Sequence, residues 1–160
     1  METELKLPEG PWTTEPDFLD GTTNGYKWEI HRNRSGVLCG YIYLPQGHPW
    51  YGKPYDDIPA EVHGGLTFSD GNFTEPTEDG WKIGFDCAHG YDLIPSMLAV
   101  REQQAAAGYK DPYPQYADLD VYRDFPYVLG EINGLIDQAE VANADSGTDK
   151  VSDYNYGTDL

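Results

Sequence analysis

Two spacings of apolar residues divide this chain. In its first half the period is two. Tyr26, Trp28 and Ile30 alternate with Lys27, Glu29 and His31, and the short polar turn Asn33-Arg34-Ser35-Gly36 leads into a second apolar run, so residues 25–34 and 37–44 predict a β-hairpin. In the second run both alternating sets are largely apolar: Val37, Cys39, Tyr41 and Tyr43 on one side, Leu38, Gly40, Ile42 and Leu44 on the other. A strand buried on both faces belongs in the middle of a sheet. Residues 60–69 and 81–87 read as further strands, with Val62, Leu66 and Phe68 packing in one and Trp81, Ile83, Phe85 and Cys87 in the other. Gly64 and Gly65 mark a bulge or a close approach in the first of these.

In the second half the spacing becomes helical. Pro95 suits a first turn and Gly108 a stop, which predicts a weakly amphipathic helix over 95–107. Tyr122, Phe125, Val128, Leu129, Ile132, Leu135, Ile136 and Ala139 fit a second helix ending near Ala142, and Pro126 favours Asp124 as its N-cap. The expectation is an α+β fold: a mainly antiparallel sheet of four or five strands with a long C-terminal helix packed on one face.

Three segments follow from composition. Residues 1–24 carry Pro8, Pro11, Pro16, Gly10 and Gly21 and read as an extended N-terminal arm that Trp12 and Phe18 pin to the body. Residues 25–142 form a single domain, and residues 143–160, with little to bury, read as an acidic flexible tail. The loop over 45–59 is long for a plain connection and gathers His48, Trp50, Tyr51, Lys53 and Tyr55. Such a loop either stacks a planar ligand or packs its rings over the sheet edge.

Charge changes the functional picture more than size does. Twenty-eight carboxylates against ten Lys and Arg give a net charge of −18, which disfavours direct binding to a phosphate backbone. The surface is either simply soluble or an acidic, DNA-mimicking face directed at a host protein. The longest apolar runs fall short of a membrane span, and the N-terminus lacks a secretory pattern. Two cysteines, Cys39 and Cys87, make no disulfide framework, so a cytoplasmic setting is expected. Oligomeric state stays open.

Candidate chemistry concentrates in two motifs, Glu61-Val62-His63-Gly64-Gly65-Leu66-Thr67 and Phe85-Asp86-Cys87-Ala88-His89-Gly90-Tyr91-Asp92. If the strands carrying them pair, the two His-bearing ends meet. Three functional readings compete with a purely structural one, in which these side chains tie turns together. His48, His63 and His89, with Asp86, Asp92, Glu61 and Cys87 near them, suit a metal, Asp86-x-x-His89 placing two possible ligands on one turn, although no cofactor is specified. Cys87 with a histidine suits nucleophilic catalysis, although its strand face predicts burial. His63, Gly64, Gly65, Asp86 and His89 also suit the polar floor of a small-ligand pocket, with Trp50 and Tyr51 as a stacking wall and Arg32 or Arg34 as an anion contact.

The same motifs carry a resemblance. Pro45-Gln46-Gly47-His48-Pro49, His63-Gly64-Gly65-Leu66-Thr67, Phe85-Asp86-Cys87-Ala88-His89 and Tyr122-Arg123 leading into a helix with Tyr127-Val128 are similar to a group of small, uncharacterised proteins of bacteriophages and their hosts. The likeness covers roughly residues 25–142, with 96–119 as a divergent insert. It implies a setting of phage counter-defence rather than a mechanism. The leading expectation is a binding protein that sequesters a small, nucleotide-derived signal. The alternatives are a hydrolase using a His/Asp metal site or a Cys87–His pair, and an acidic inhibitor of a host defence protein.

Overall fold

A computed structural model describes residues 6–112 and 119–152, with side chains as far as Asp145 in the last helix. The five strands are β1 (Phe18–Thr23), β2 (Tyr26–Arg32), β3 (Leu38–Leu44), β4 (Phe68–Ser69) and β5 (Trp81–Asp86). They lie side by side in the order β1-β2-β3-β5-β4, every pair antiparallel. Two helices follow, α1 (Pro95–Ala106) and α2 (Phe125–Ser152), and α2 packs against β3 and β2. The fold is α+β, with the long C-terminal helix on one face of the sheet.

Period two explains the sheet. Trp28, Ile30, Leu38, Ile42, Leu44, Ile83 and Phe85 form the face under α2, all buried, and β3 is central as its two apolar faces require. α2 answers with Val128, Ile132, Leu135, Ile136 and Ala139, five fully buried positions spaced for one helical stripe. Asp124 caps it, its Oδ1 accepting the Tyr127 N–H at 3.0 Å. The opposite sheet face holds Glu29, which accepts a hydrogen bond from the Tyr43 hydroxyl at 2.9 Å and lies 3.6 Å from the Lys82 ammonium.

Three segments depart from expectation. Within the stretch read as an arm, residues 18–23 form the edge strand β1, joined to β2 by a two-residue turn, Asn24-Gly25, in which both residues have positive φ (54° and 85°). That is the Asn-Gly hairpin connection whose twist matches antiparallel strands. Trp12 is buried and packs edge-on against Tyr122, whereas Phe18 stays half exposed beside His31.

The strand expected over 60–69 shrinks to Phe68–Ser69. Gly64 and Gly65, both at positive φ, turn the chain out of extended geometry, and Gly65 N–H closes the turn on Val62 O at 2.8 Å. Side chains of α2 take the place of a neighbouring strand. Gln138 accepts from the Glu61 N–H at 2.8 Å and donates to the Glu61 carbonyl at 2.7 Å, and Glu131 accepts from the His63 N–H at 2.7 Å.

The tail expected over 143–160 continues as α2 to Ser152, and residues 153–160 lie outside the described residues, as do 113–116 of the Pro/Tyr loop. No helix among the described residues is long and apolar enough to cross a membrane.

α2 approaches the sheet closely over Gly40. A Cβ there would lie 2.7 Å from ring atoms of Phe85 and 3.2 Å from Ile132 Cδ1. Gly40→Ala is therefore expected to cost about 1–3 kcal/mol by overpacking, measured by denaturant unfolding.

Candidate functional site

The site is built around one carboxylate. Asp92 sits just after β5, in a turn where its N–H donates to His89 O at 2.9 Å, and its side chain is completely buried. A carboxylate in that position needs several donors. Oδ2 accepts the His89 backbone N–H at 3.0 Å and faces His89 Nδ1 at 3.1 Å. Oδ1 accepts the Arg123 Nε–H at 2.9 Å. His63 Nε2 lies 3.0 Å from Oδ1 and 2.9 Å from Oδ2. Burial alone would raise this carboxyl's pKa. The hydrogen bonds from His63, the His89 backbone, Arg123 and the His89 ring outweigh it and hold the pKa below the ordinary value.

Three parts of the chain deliver these donors. His63 comes from the glycine turn that Glu131 and Gln138 hold against α2, and its other ring nitrogen, Nδ1, is 2.8 Å from the Tyr127 hydroxyl. Because Asp92 is ionised and acceptor-only, His63 Nε2 carries the proton and Tyr127 O–H donates to Nδ1. His89 comes from the turn after β5. Its ring lies against Gly64, where a Cβ would come within 2.1–2.6 Å of three ring atoms, so only a bare backbone admits it. Arg123 comes from the segment before α2. That segment runs alongside residues 91–93 through Leu93 N–H to Val121 O (2.8 Å) and Val121 N–H to Tyr91 O (3.1 Å).

Arg123 is anchored by its Nε alone. The guanidinium lies 4.8 Å from the Tyr127 ring and 5.7 Å from the Tyr91 ring, and its two terminal nitrogens bond no acceptor among the described residues. Tyr91 is half exposed and lies nearly parallel to the His89 ring at 6.1 Å. Beside the cluster a cavity of about 330 Å³ is lined by His89, Asp92, Leu93, Met97, Arg101 and Asp120.

The structure brings together His63, Gly64 and His89 as expected, with Asp86 at the margin. Asp86 accepts from the Thr67 hydroxyl at 3.0 Å and the Ala88 N–H at 3.0 Å, and stands 3.8 Å from His89 Nε2. Gly65 serves the turn. The other assignments change.

Trp50, expected in a stacking wall, is a core residue whose backbone N–H donates to His48 Nδ1 at 3.0 Å, and His48 Nε2 reaches Ala139 O at 2.8 Å on α2. Burial lowers the pKa of His48, which keeps it neutral and structural. Tyr51 packs on Trp81. The 45–59 loop thus commits His48, Trp50 and Tyr51 to the core and to α2, and leaves Tyr55 exposed.

Arg32, expected as an anion contact, donates through all three nitrogens to Asp17, Gly36 O, Tyr122, Glu15 and Pro16 O. It is saturated and ties the N-terminal segment down. Arg34 is exposed in the β2–β3 turn. Cys87 is 1% exposed, and burial pushes its thiol well above the usual range, which withholds the thiolate that a nucleophile needs. Cys39 is likewise free and buried, its thiol pushed up to about 11.

Sequence reasoning did not single out Arg123, Tyr127, Tyr91 or Glu131 as site residues. Tyr127 and Glu131 are separated by one helical turn, and Arg123 precedes Tyr127 by another, so the signal was a polar stripe beside the apolar one on α2 and its N-terminal approach. Comparison with protein-family models, curated proteins and solved structures finds no match to this chain.

Two outcomes follow. Asp92→Asn removes the charge that the donors share and is expected to cost about 3–5 kcal/mol at neutral pH, measured by urea unfolding. Because the folded pKa of Asp92 is depressed, the stability it supplies is present above the ordinary carboxylate range and is lost as pH falls through that range toward the folded value. The gap between wild type and Asp92→Asn should therefore narrow on acidification. Arg32→Met should destabilise by about 1–3 kcal/mol in the same assay.

Proposed function

We propose that this protein binds a small anionic ligand bearing a planar ring, with Arg123 gripping the anion and Tyr91 stacking on the ring. The observation that carries this is the state of Arg123. Its guanidinium is oriented by Asp92 and by two aromatic faces, and its terminal nitrogens remain without an acceptor among the described residues. Arg offers a rigid fork of N–H donors suited to phosphate or carboxylate, and orienting it beforehand lowers the entropy cost of binding. The exposed ring of Tyr91 and the cavity beside His89 supply the apolar surface that such a ligand needs. These residues take over the parts expected of Trp50, Tyr51 and Arg32.

The resemblance of the His-Gly-Gly-Leu-Thr and Phe-Asp-Cys-Ala-His motifs to phage proteins suggests what the ligand is for. We read it as a nucleotide-derived signal in a bacterial cytoplasm, sequestered as counter-defence. An overall charge of −18 repels such ligands at long range, but salt screens that field within about 10 Å, and Arg123 acts at contact. The alternative of a hydrolase rests on His63, His89 and Asp92, which meet in one cluster.

The test is equilibrium binding by calorimetry to a panel of nucleoside phosphates and cyclic dinucleotides, with native mass spectrometry to find any ligand retained on purification. Arg123→Met is expected to weaken binding by about 100-fold, and Tyr91→Ala by about 10-fold. No binding across the panel by folded protein, or equal binding by Arg123→Met, would sink the proposal. Turnover of a bound ligand that is lost on replacing His63 would favour the hydrolase.

A further inference from the structure

Nε2 of His63, Nδ1 of His89 and a carboxylate oxygen of Asp92 all lie within 4.8 Å of one another. We propose that these three side chains form a binding site for one divalent transition-metal ion. The inference goes beyond the anion-binding reading and does not depend on Arg123 meeting a ligand.

Donor spacing is the first support. Two ligands about 2.1 Å from one ion are about 3.0 Å apart at a right angle and about 3.4 Å apart at the tetrahedral angle. His63 Nε2 is 2.9 Å and His89 Nδ1 3.1 Å from Asp92 Oδ2, so both imidazoles approach the same oxygen at the separation of neighbouring ligands. Arg123 occupies Oδ1, and Oδ2, which accepts the His89 backbone N–H at 3.0 Å, is the oxygen that both imidazoles approach and has a second lone pair for the ion.

The surrounding groups are the second support. Coordination needs a lone pair on the nitrogens that now face Asp92, so each ring proton must sit on the opposite nitrogen. For His63 an oxygen stands there to receive it: Nδ1 is 2.8 Å from the Tyr127 oxygen. His89 Nε2 faces the Asp86 carboxylate at 3.8 Å, beyond hydrogen-bond distance but near enough to favour the charge. An oxygen partner on the far side of a ligating imidazole, as at His63, is the usual outer shell of a metal site. The bare backbone of Gly64, which lets the His89 ring approach, belongs to the same construction.

Two imidazoles and a carboxylate, with neither buried thiol in the cluster, suit zinc, iron(II) or manganese rather than a thiolate-seeking ion. Three protein ligands also leave at least one coordination position for water or for a ligand.

The experiment strips the purified protein with EDTA and titrates it with Zn²⁺ by calorimetry and with Co²⁺ by visible absorption. One equivalent is expected, with d–d bands of a nitrogen/oxygen site. His89→Ala should weaken binding by about 100-fold, and Tyr127→Phe, which removes only the outer hydroxyl, by about 10-fold. Circular dichroism and melting check that each variant is folded. His63→Ala is the more direct test but disturbs the glycine turn, so His89→Ala and Tyr127→Phe decide if it fails to fold. Absence of stoichiometric binding by folded wild type, or equal affinity in folded His89→Ala, overturns the inference. Binding of the nucleoside phosphate and cyclic dinucleotide panel in EDTA is measured separately. Metal uptake without binding of any panel member removes the anion reading alone, and the reverse result removes the metal alone.

Discussion

The buried carboxylate of Asp92 is the constraint on which the rest of this structure turns. It lies at the junction of three segments that are distant in sequence: the glycine turn at His63, the turn after β5 and the approach to α2. A charge with no exposure is tolerated only where donors converge on it. Each donor therefore fixes one segment. His63 sets the turn against α2, the His89 N–H sets the exit from β5, and Arg123 sets the start of the helix. A strong polar network of this kind specifies one arrangement of loops that the apolar core alone would leave loose.

The N-terminal segment secures the same helix end from outside. Glu15 accepts the Phe125 N–H at 2.9 Å, the Tyr122 hydroxyl at 2.5 Å and an Arg32 N–H at 3.3 Å. A carboxylate at the first turn of α2 also meets the positive end of the helix dipole. Arg32 repays its burial by bonding through every nitrogen. One arginine of the fold thus serves structure entirely, while the terminal nitrogens of Arg123 bond no acceptor among the described residues. The difference between them is one of satisfied donors, and it reverses the roles that residue type alone would assign.

Much of the fold was legible because it rests on periodicity. The hairpin of β2 and β3, the central place of β3, the run of β5 and the stripe of α2 from Val128 to Ala139 each repeat over enough residues for burial to leave its mark. Asp124 as the helix cap was readable from Pro126 beside it. The edge strand β1 was not, because its exposed positions carry no alternation, although Asn24-Gly25 named its turn. The stretch from 60 to 67 was misread because a period of two says nothing about what satisfies the backbone. Here Gln138 and Glu131 do so from α2, in place of a strand.

The candidate site divides the same way. The sequence by itself determined that His63, Gly64, Asp86 and His89 stand in two polar motifs at the ends of apolar runs, and that the chain is an acidic α+β protein. Only the tertiary structure decided that Asp92 is their centre, that Arg123 and Tyr127 join it, and that Trp50, Tyr51 and Arg32 do not. The physical reason is that a residue's chemistry depends on which of its donors and acceptors remain unpaired. That accounting closes across dozens of residues of separation, 31 between Asp92 and Arg123 and 64 between His63 and Tyr127, and no local pattern carries it.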